Sequence, residues 1–495
     1  MNYVGISSGF HDAALSVIDG QGNILFAGHS ERYSKNKHDN EIACGLVTDA
    51  LKYVEQDFEL HYYERPYMKA IRQLLAGERV KGLSVKNLIG PYLPLLESKY
   101  KRKGRIKTHN HHMCHAAAGF QTSPYQDATV VVIDAIGELD TISIWDATYD
   151  KEGKATYKKI WGRRYPDSIG LFYSAMTARV GLRPLDEEYI LMGMAAYGEP
   201  LYNASMKQLF SNFGGIMLKD NLHIGVDDNF LKEADEMDIA ASAQAVVEQL
   251  IEIVIKKAKK LGKSDNLVYG GGVALNCLAN RLIGKYYENI WIMPNPGDAG
   301  NSLGAAALGY GKKLNWTGAF LGYDINGEYP VDNILKELYN SKMVGVASGR
   351  AEFGPRALGN RSLLADPRGP EIKDKVNDIK RRQKFRPFAP VILEEHANRY
   401  FDMPVGFDTS RYMQCIATCR SPDLFPAIAH FDGTSRVQTV PNDGSGIRKL
   451  LEAWYKETGC PMLLNTSLNI RGEPMVNDRL DADRFEKLYG LKVCS

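Results

Sequence analysis

Residues 131–146 read V-V-I-D-A-I-G-E-L-D-T-I-S-I-W-D, and residues 4–19 read V-G-I-S-S-G-F-H-D-A-A-L-S-V-I-D. Set one beneath the other, both give an apolar strand, a polar turn bearing glycine, and a second strand closing on S-I-W-D or S-V-I-D. Runs of Val and Ile broken by Gly, Ser and Asp predict β-hairpins. Their recurrence is an internal repeat of one supersecondary unit. It predicts an α/β domain in two halves, each opened by its own hairpin, with a ligand cleft between them.

Just ahead of the second hairpin lies T-H-N-H-H-M-C-H-A-A-A-G-F, residues 108–120. The alanines predict a helix, and His111 and His115, four apart, leave one face about a turn from each other. Beyond a turn at Ser123, Pro124 and Tyr125, the run Ala128–Ile133 predicts a buried strand. Asp134 ends it, where a carboxylate reaches what the helix holds. Two His and one Asp suit a borderline divalent ion such as Fe²⁺ or Zn²⁺, with positions left for substrate oxygens. Two hairpins, each heading half of a domain, are the signature of the actin, sugar kinase and Hsp70 architecture, where nucleotide lies between the halves. In that architecture the turn in I-W-I-M-P-N-P-G-D-A-G (290–300) returns to the cleft, which makes Asp298 the fourth ligand. L-V-Y-G-G-G-V-A-L-N-C (267–277) predicts strand, turn and helix. Gly270, Gly271 and Gly272 would let the backbone approach a phosphate or ribose, and the helix N-terminus would favour its charge.

The 495 residues allow about three domain-sized units, and 44% hydrophobic with 24% charged residues is ordinary for a globular chain. A net charge of +2 does not mark a nucleic-acid binder overall. Locally, S-K-Y-K-R-K-G-R-I-K (98–107) is a basic cluster able to contact phosphates. No apolar run approaches the roughly 20 residues that span a bilayer, and the first residues pass directly into a strand pattern, so no membrane partner and a cytoplasmic protein are expected. Seven scattered cysteines without a CxxC fit a reducing compartment, with Cys415 and Cys419 expected as packed thiols.

Near residues 315–340 the pattern loosens, and a division placed at 335/336 gives domains of residues 1–335 and 336–495. The second carries G-R-A-E-F-G-P-R-A-L-G-N-R-S-L-L-A-D-P-R (349–368), K-R-R-Q-K-F-R-P-F-A-P (380–390) and L-L-N-T-S-L-N-I-R-G-E-P (463–474). Arg350, Arg356, Arg361, Arg368, Arg382, Lys384, Arg386 and Arg471 recur there among glycines, prolines and hydroxyl residues. Guanidinium forks suit bidentate phosphate contact, so a polyanionic ligand such as a nucleoside triphosphate is expected.

These segments, with G-F-H-D-A-A (9–14), S-K-N-K-H-D (34–39), D-A-I-G-E (134–138) and L-M-G-M-A-A-Y-G (191–198), resemble the NodU/CmcH carbamoyltransferases over essentially the whole chain. The resemblance implies an α/β fold: an actin-like (ASKHA), two-lobed, Kae1-like domain followed by an α+β YrdC-like domain. It implies an ATP-dependent O-carbamoyltransferase. Carbamoyl phosphate and ATP would give carbamoyl adenylate and pyrophosphate in the second domain, and the carbamoyl group would pass from AMP to an acceptor hydroxyl at a metal site in the first. Carried over, the metal ligands fall on His111, His115, Asp134 and Asp298, with Fe²⁺ favoured and Zn²⁺, Mn²⁺ or Mg²⁺ compatible. The general base falls on His11, whose neutral imidazole would take the hydroxyl proton near pH 7. The glycine turn and Asn276 would hold the adenylate, and Lys37 joins the ligand-binding set. Arg356, Arg361, Lys384, Arg386, Asn465, Ser467 and Arg471 would line the carbamoyl phosphate and ATP site.

Three positions depart from that family's pattern: Ala135 replaces a glycine, Ile190 a lysine, and Glu41, Ile42 and Ala43 stand where Phe-Pro is common. Together they point to a divergent acceptor site. The acceptor hydroxyl is expected on a small metabolite or sugar, or on a hydroxymethylated base in DNA. Two other functions compete. A tRNA threonylcarbamoyl transferase would need L-threonine in its adenylate, and a non-catalytic actin-like nucleotide-binding switch would need no His111, His115, Asp134 and Asp298 set. The sequence leaves the oligomeric state open, a homodimer included.

Overall fold

Both aligned stretches form hairpins in a computed structural model that describes residues 1–54, 58–75, 80, 106–386 and 388–495. Most of the basic 98–107 cluster lies outside the described residues. The chain divides into two units, Met1–Ala27 with Asn40–Thr317, and Gly28–Asp39 with Gly318–Ser495.

In the first unit β1 (Asn2–Ser7), β2 (Ala14–Ile18), β3 (Ile24–His29), β4 (Phe58–Tyr62) and β5 (Lys107–Thr108) form a sheet ordered β3-β2-β1-β4-β5. A second sheet contains β6 (Asp127–Gly137), β7 (Asp140–Tyr149), β8 (Ala155–Arg164), β9 (Asn266–Gly270) and β10 (Asn289–Trp291), ordered β8-β7-β6-β9-β10. The two orders are the same. In each, the first strand pairs antiparallel with its hairpin partner, Val4 opposite Val17 and Val131 opposite Ile144. On its other side it pairs parallel with a strand returning from a crossover, β1 with β4 and β6 with β9, and a further parallel strand follows. The repeat read in the sequence is a duplicated sheet. Strands covered on both faces need continuous apolar runs, and Val130 to Ile133 and Leu267 to Tyr269 are all fully buried.

Helices α1 (Pro66–Leu75), α2 (His111–Phe120), α3 (Ile169–Arg179), α4 (Glu236–Leu261) and α5 (Asn301–Tyr310) belong to this unit. Asn110 caps α2 by accepting from the Met113 N–H at 2.9 Å, so the helix begins on His111 itself. Small residues let α5 lie close to β1 and α2. A Cβ on Gly5 would meet the Ser302 carbonyl oxygen at 1.8 Å, and one on Gly304 would meet that of Cys114 at 2.0 Å. This approach ties the element that follows Asp298 to the one that carries His111 and His115.

The second unit is built on β11 (Phe320–Ile325), α6 (Val331–Ser341), β12 (Met343–Ala347), β13 (Gly349–Glu352), β14 (Arg361–Ala365), α7 (Glu371–Ile379), β15 (Ala389–Leu393), β16 (Gln438–Val440), α8 (Gly446–Thr458), β17 (Met462–Ser467), α9 (Arg479–Tyr489) and β18 (Val493–Cys494). Its mixed six-stranded sheet runs β16-β15-β17-β14-β12-β18. Ile334 and Leu338 of α6 and Leu450, Leu451 and Trp454 of α8 share one apolar cluster with Val344, Val391 and Leu463. Ile372 and Val376 of α7 and Phe485 of α9 share the other with Leu363, Ile392 and Leu464. The compact units divide at Gly318, because β11 pairs antiparallel with β13 and so belongs to the second. Gly28–Asp39, which contains Lys37, also belongs there.

Alanine in place of a mid-helix glycine ordinarily stabilises by about 1 kcal/mol. At Gly304 the sign reverses: Gly304→Ala is expected to destabilise by about 1–3 kcal/mol through overpacking against the Cys114 carbonyl. The check is a lower urea midpoint at unchanged m-value; a raised midpoint would contradict the close approach.

Candidate metal centre

His111 and His115 leave the first two turns of α2, and Asp134 lies where the β6–β7 register shifts between Ile133 and Gly137. A bulge of this kind re-aims a side chain, here toward the helix. Asp298 opens the short turn ahead of α5. All four are buried, and one ligand atom from each lies within 4.8 Å of the others. His111 Nε2 is 3.1 Å from Asp134 Oδ2 and 3.3 Å from Asp298 Oδ1, and His115 Nε2 is 3.4 Å from each. The two Nε2 atoms are 3.1 Å apart.

Glu64 Oε1 lies 3.0 Å from His111 Nδ1. Burial pushes the Glu64 pKa up, but Lys69 and His111 outweigh it and hold the group ionised. His111 therefore donates from Nδ1 and turns the Nε2 lone pair inward. Four buried Lewis-base atoms then converge, a donor set that fits a divalent cation with two nitrogen and two oxygen ligands. Without a cation the carboxylates hold protons on the imidazoles instead. Burial opposes charge on His111, yet Asp298, Asp134 and Glu64 raise its pKa well above the usual value. Burial likewise pushes Asp134 up, but hydrogen bonds from His111 and His115 hold it well below the carboxylate range. These shifts express one interaction seen from its two sides.

His11 stands at the edge, its Nε2 3.6 Å from Asp298 Oδ2 and its Nδ1 3.0 Å from Asp12 Oδ2. Burial lowers its pKa, but Asp298 and Asp12 outweigh this and push it up to about 9. The neutral imidazole expected near pH 7 is thus not what the chain's own charges favour. His112, off the ligand face, pairs through Nδ1 with Ser143 Oγ at 2.7 Å. Burial and the neighbouring His111 push its pKa well down, so it is a neutral core histidine.

The glycine turn serves the Asp134 carboxylate. Gly271 has φ +88 and its Cβ would lie 2.2 Å from the Ile133 carbonyl oxygen, while Gly272 N–H donates to Asp134 Oδ1 at 3.3 Å. Asn276 exchanges two amide hydrogen bonds of 3.0 Å with Gln244. Asn301, which the sequence did not single out, directs Nδ2 at His115 Nε2, 3.0 Å away. Of the departing residues, Ala135 donates its N–H to Asp134 Oδ1 at 2.8 Å, and Ile190 is buried in the core.

In the second unit the expected ligands separate. Arg361 is fully buried, and its guanidinium donates to the carbonyls of Asn477, Ser348, Gly349, Asn360 and Tyr323 at 2.8–3.1 Å. It braces the main chain, which corrects its expected place among phosphate ligands. Lys384 is exposed and stands 3.9 Å from Asp378. Asn465 is buried and donates to Gln438 Oε1 and the Ala357 carbonyl. Arg356 and Arg386 are half-buried, and Arg471 is exposed. Sequence reading missed Lys380, which is buried and donates to the Ser467 and Asn469 carbonyls at 2.5 and 2.9 Å and to Asn469 Oδ1 at 3.0 Å. Arg471 N–H donates to the Lys380 carbonyl at 3.0 Å. Burial, with Arg382 and Arg386 nearby, pushes the Lys380 pKa well down. Ser467, Arg471 and Arg386 therefore gather around a lysine.

Residues 46–307 match the family Carbamoyltransferase N-terminus, and residues 335–493 match Carbamoyltransferase C-terminus. The chain belongs to the carbamoyltransferase family and is an enzyme of that class. An uncharacterized protein of Synechocystis is 32% identical, over 97% of this chain and 93% of its own length. The nodulation protein NolNO of Sinorhizobium fredii is 30% identical, over 95% of this chain and 76% of its own. Among solved structures, an activator of 2-hydroxyisocaproyl-CoA dehydratase from Clostridium difficile with bound ADPNP is 13% identical, with a TM-score of 0.35 over 63% of this chain and 94% of that one.

If these four residues hold a cation, His115→Ala and Asp298→Asn should each weaken Zn²⁺ or Fe²⁺ binding at least about tenfold. Metal at a hundred times the wild-type Kd should stabilise the wild type by about 2.7 kcal/mol and the variants far less. Equal stabilisation of all three proteins in thermal melts would contradict the site.

Proposed function

We propose that this protein is an ATP-dependent O-carbamoyltransferase acting in two steps, the first in an α+β, YrdC-like second unit and the second in an actin-like, Kae1-like first unit. In the first step carbamoyl phosphate gives up its phosphate to water, and the carbamate oxygen bonds to the α-phosphorus of ATP. Carbamoyl adenylate and pyrophosphate result. Arg386 and Arg471 would neutralise the phosphates, with the Ser467 hydroxyl as a further donor. Carbamate is a poor electrophile, and its union with AMP supplies a leaving group. In the second step an acceptor hydroxyl oxygen bonds to the carbamoyl carbon, and AMP departs with the electrons of the broken C–O bond.

His11 stands at the rim of the centre as acceptor of the hydroxyl proton, a role that requires compensation of the Asp298 charge. A divalent cation held by His111, His115, Asp134 and Asp298, Fe²⁺ foremost, would supply positive charge where the departing phosphate gains negative charge. Glu64 orients the His111 imidazole, and the Gly272 N–H holds Asp134 in place. The observation that carries the proposal is the convergence of four buried Lewis-base atoms in a chain of the carbamoyltransferase family. The acceptor is a hydroxyl of a small metabolite or sugar, or of a hydroxymethylated DNA base, met in the cytoplasm.

The test uses radiolabelled carbamoyl phosphate, ATP, Fe²⁺ and a mixture of sugars as probe acceptors. Wild type should release pyrophosphate and AMP, and His111→Ala should still release pyrophosphate at near the wild-type rate. His11→Ala should likewise spare pyrophosphate release but slow label transfer by about 10²–10⁴-fold. No pyrophosphate above background from wild type would overturn the activation step, and parallel loss of both products in His111→Ala would overturn the division between two sites.

A further inference from the structure

Glu64 is fully buried and holds His111 from behind, but a carboxylate in that position is costly unless a cation answers it. Lys69, one turn into α1, is that cation. Its Nζ lies 2.9 and 3.0 Å from the two Glu64 carboxylate oxygens. It is itself 8% exposed, and its ammonium sits 2.9 Å from the centroid of the Phe10 ring. Phe10 immediately precedes His11, so the turn that carries the proposed base also covers the ion pair. An ammonium bonded to a carboxylate on one side and facing an aromatic ring on the other is held without water.

We propose that Lys69 is a positioning residue for the metal centre: it holds the Glu64 carboxylate in place, and Glu64 in turn fixes the tautomer and aim of the His111 imidazole. The chain Lys69–Glu64–His111 has a polarity that only this order satisfies. Lys69 can only donate, ionised Glu64 can only accept, and His111 must then donate from Nδ1, leaving Nε2 as the electron pair toward Asp134 and Asp298. An apolar pair at 64 and 69 would release the ring. The buried ion pair therefore serves orientation, and not stability alone.

The inference rests on the reading of the four-residue metal centre, and its test separates the two. Zn²⁺ affinity is measured by competition with a chromophoric chelator for wild type, Glu64→Gln, Lys69→Met and the double variant Glu64→Gln/Lys69→Met, alongside metal-free thermal stability. Both single variants should bind Zn²⁺ about 10–100-fold more weakly. Lys69→Met leaves a buried carboxylate unpaired and can fail to fold. The double variant has no buried charge left there, so it should keep near wild-type metal-free stability and still bind weakly. Lys69→Arg, which retains the cation, should recover part of the affinity. Wild-type affinity in the double variant, or in Lys69→Met when Glu64→Gln is weak, overturns the proposal. A wild type that binds no Zn²⁺ overturns the metal centre and this inference with it.

Discussion

Two imidazole nitrogens and two carboxylate oxygens, all buried, meet within 4.8 Å. Such a cluster is unfavourable unless positive charge occupies its middle, and the surrounding structure is arranged to hold it regardless. Asn110 starts α2 on His111, the β6 irregularity turns Asp134 inward, Gly272 holds its other oxygen, and α5 packs on α2 immediately after Asp298. Each device lies on a different element. The centre therefore depends on the packing of α2 against β6 and α5 within the first unit.

Much of this was legible before any coordinates. The matching order of apolar strand, glycine-bearing turn and second strand carried the duplication, because hairpins are written in local apolar pattern and turn chemistry. The pair His111 and His115 was legible because a helix converts a spacing of four into a shared face. Asp298 required the architecture as well as the spacing. The pairing of β11 with β13 was not legible, because β11 precedes α6 in a stretch of loose pattern and its partner lies beyond the helix. Strand pairing across an intervening helix leaves no local mark.

The supporting residues were hidden for a related reason. Glu64 and His111 are separated by 47 positions, and nothing in the neighbourhood of Glu64 distinguishes it from a surface glutamate. Lys380 had a signal that went unread: it continues the apolar stripe Ile372 and Val376 at a spacing of four, so it belongs to the buried face of α7. Arg361 shows the converse. Its motif, rich in arginine and glycine, reads as phosphate-binding, yet buried main-chain carbonyls from several segments need a donor there, and the guanidinium fork supplies it.

The most direct measurement is X-ray absorption at the metal edge of the full chain loaded with one equivalent of Fe²⁺ or Zn²⁺. The four-residue centre predicts a first shell of nitrogen and oxygen at about 2.0–2.2 Å with the outer-shell scattering of two imidazoles. An oxygen-only shell, or one containing the sulfur of any of the seven cysteines, would contradict it.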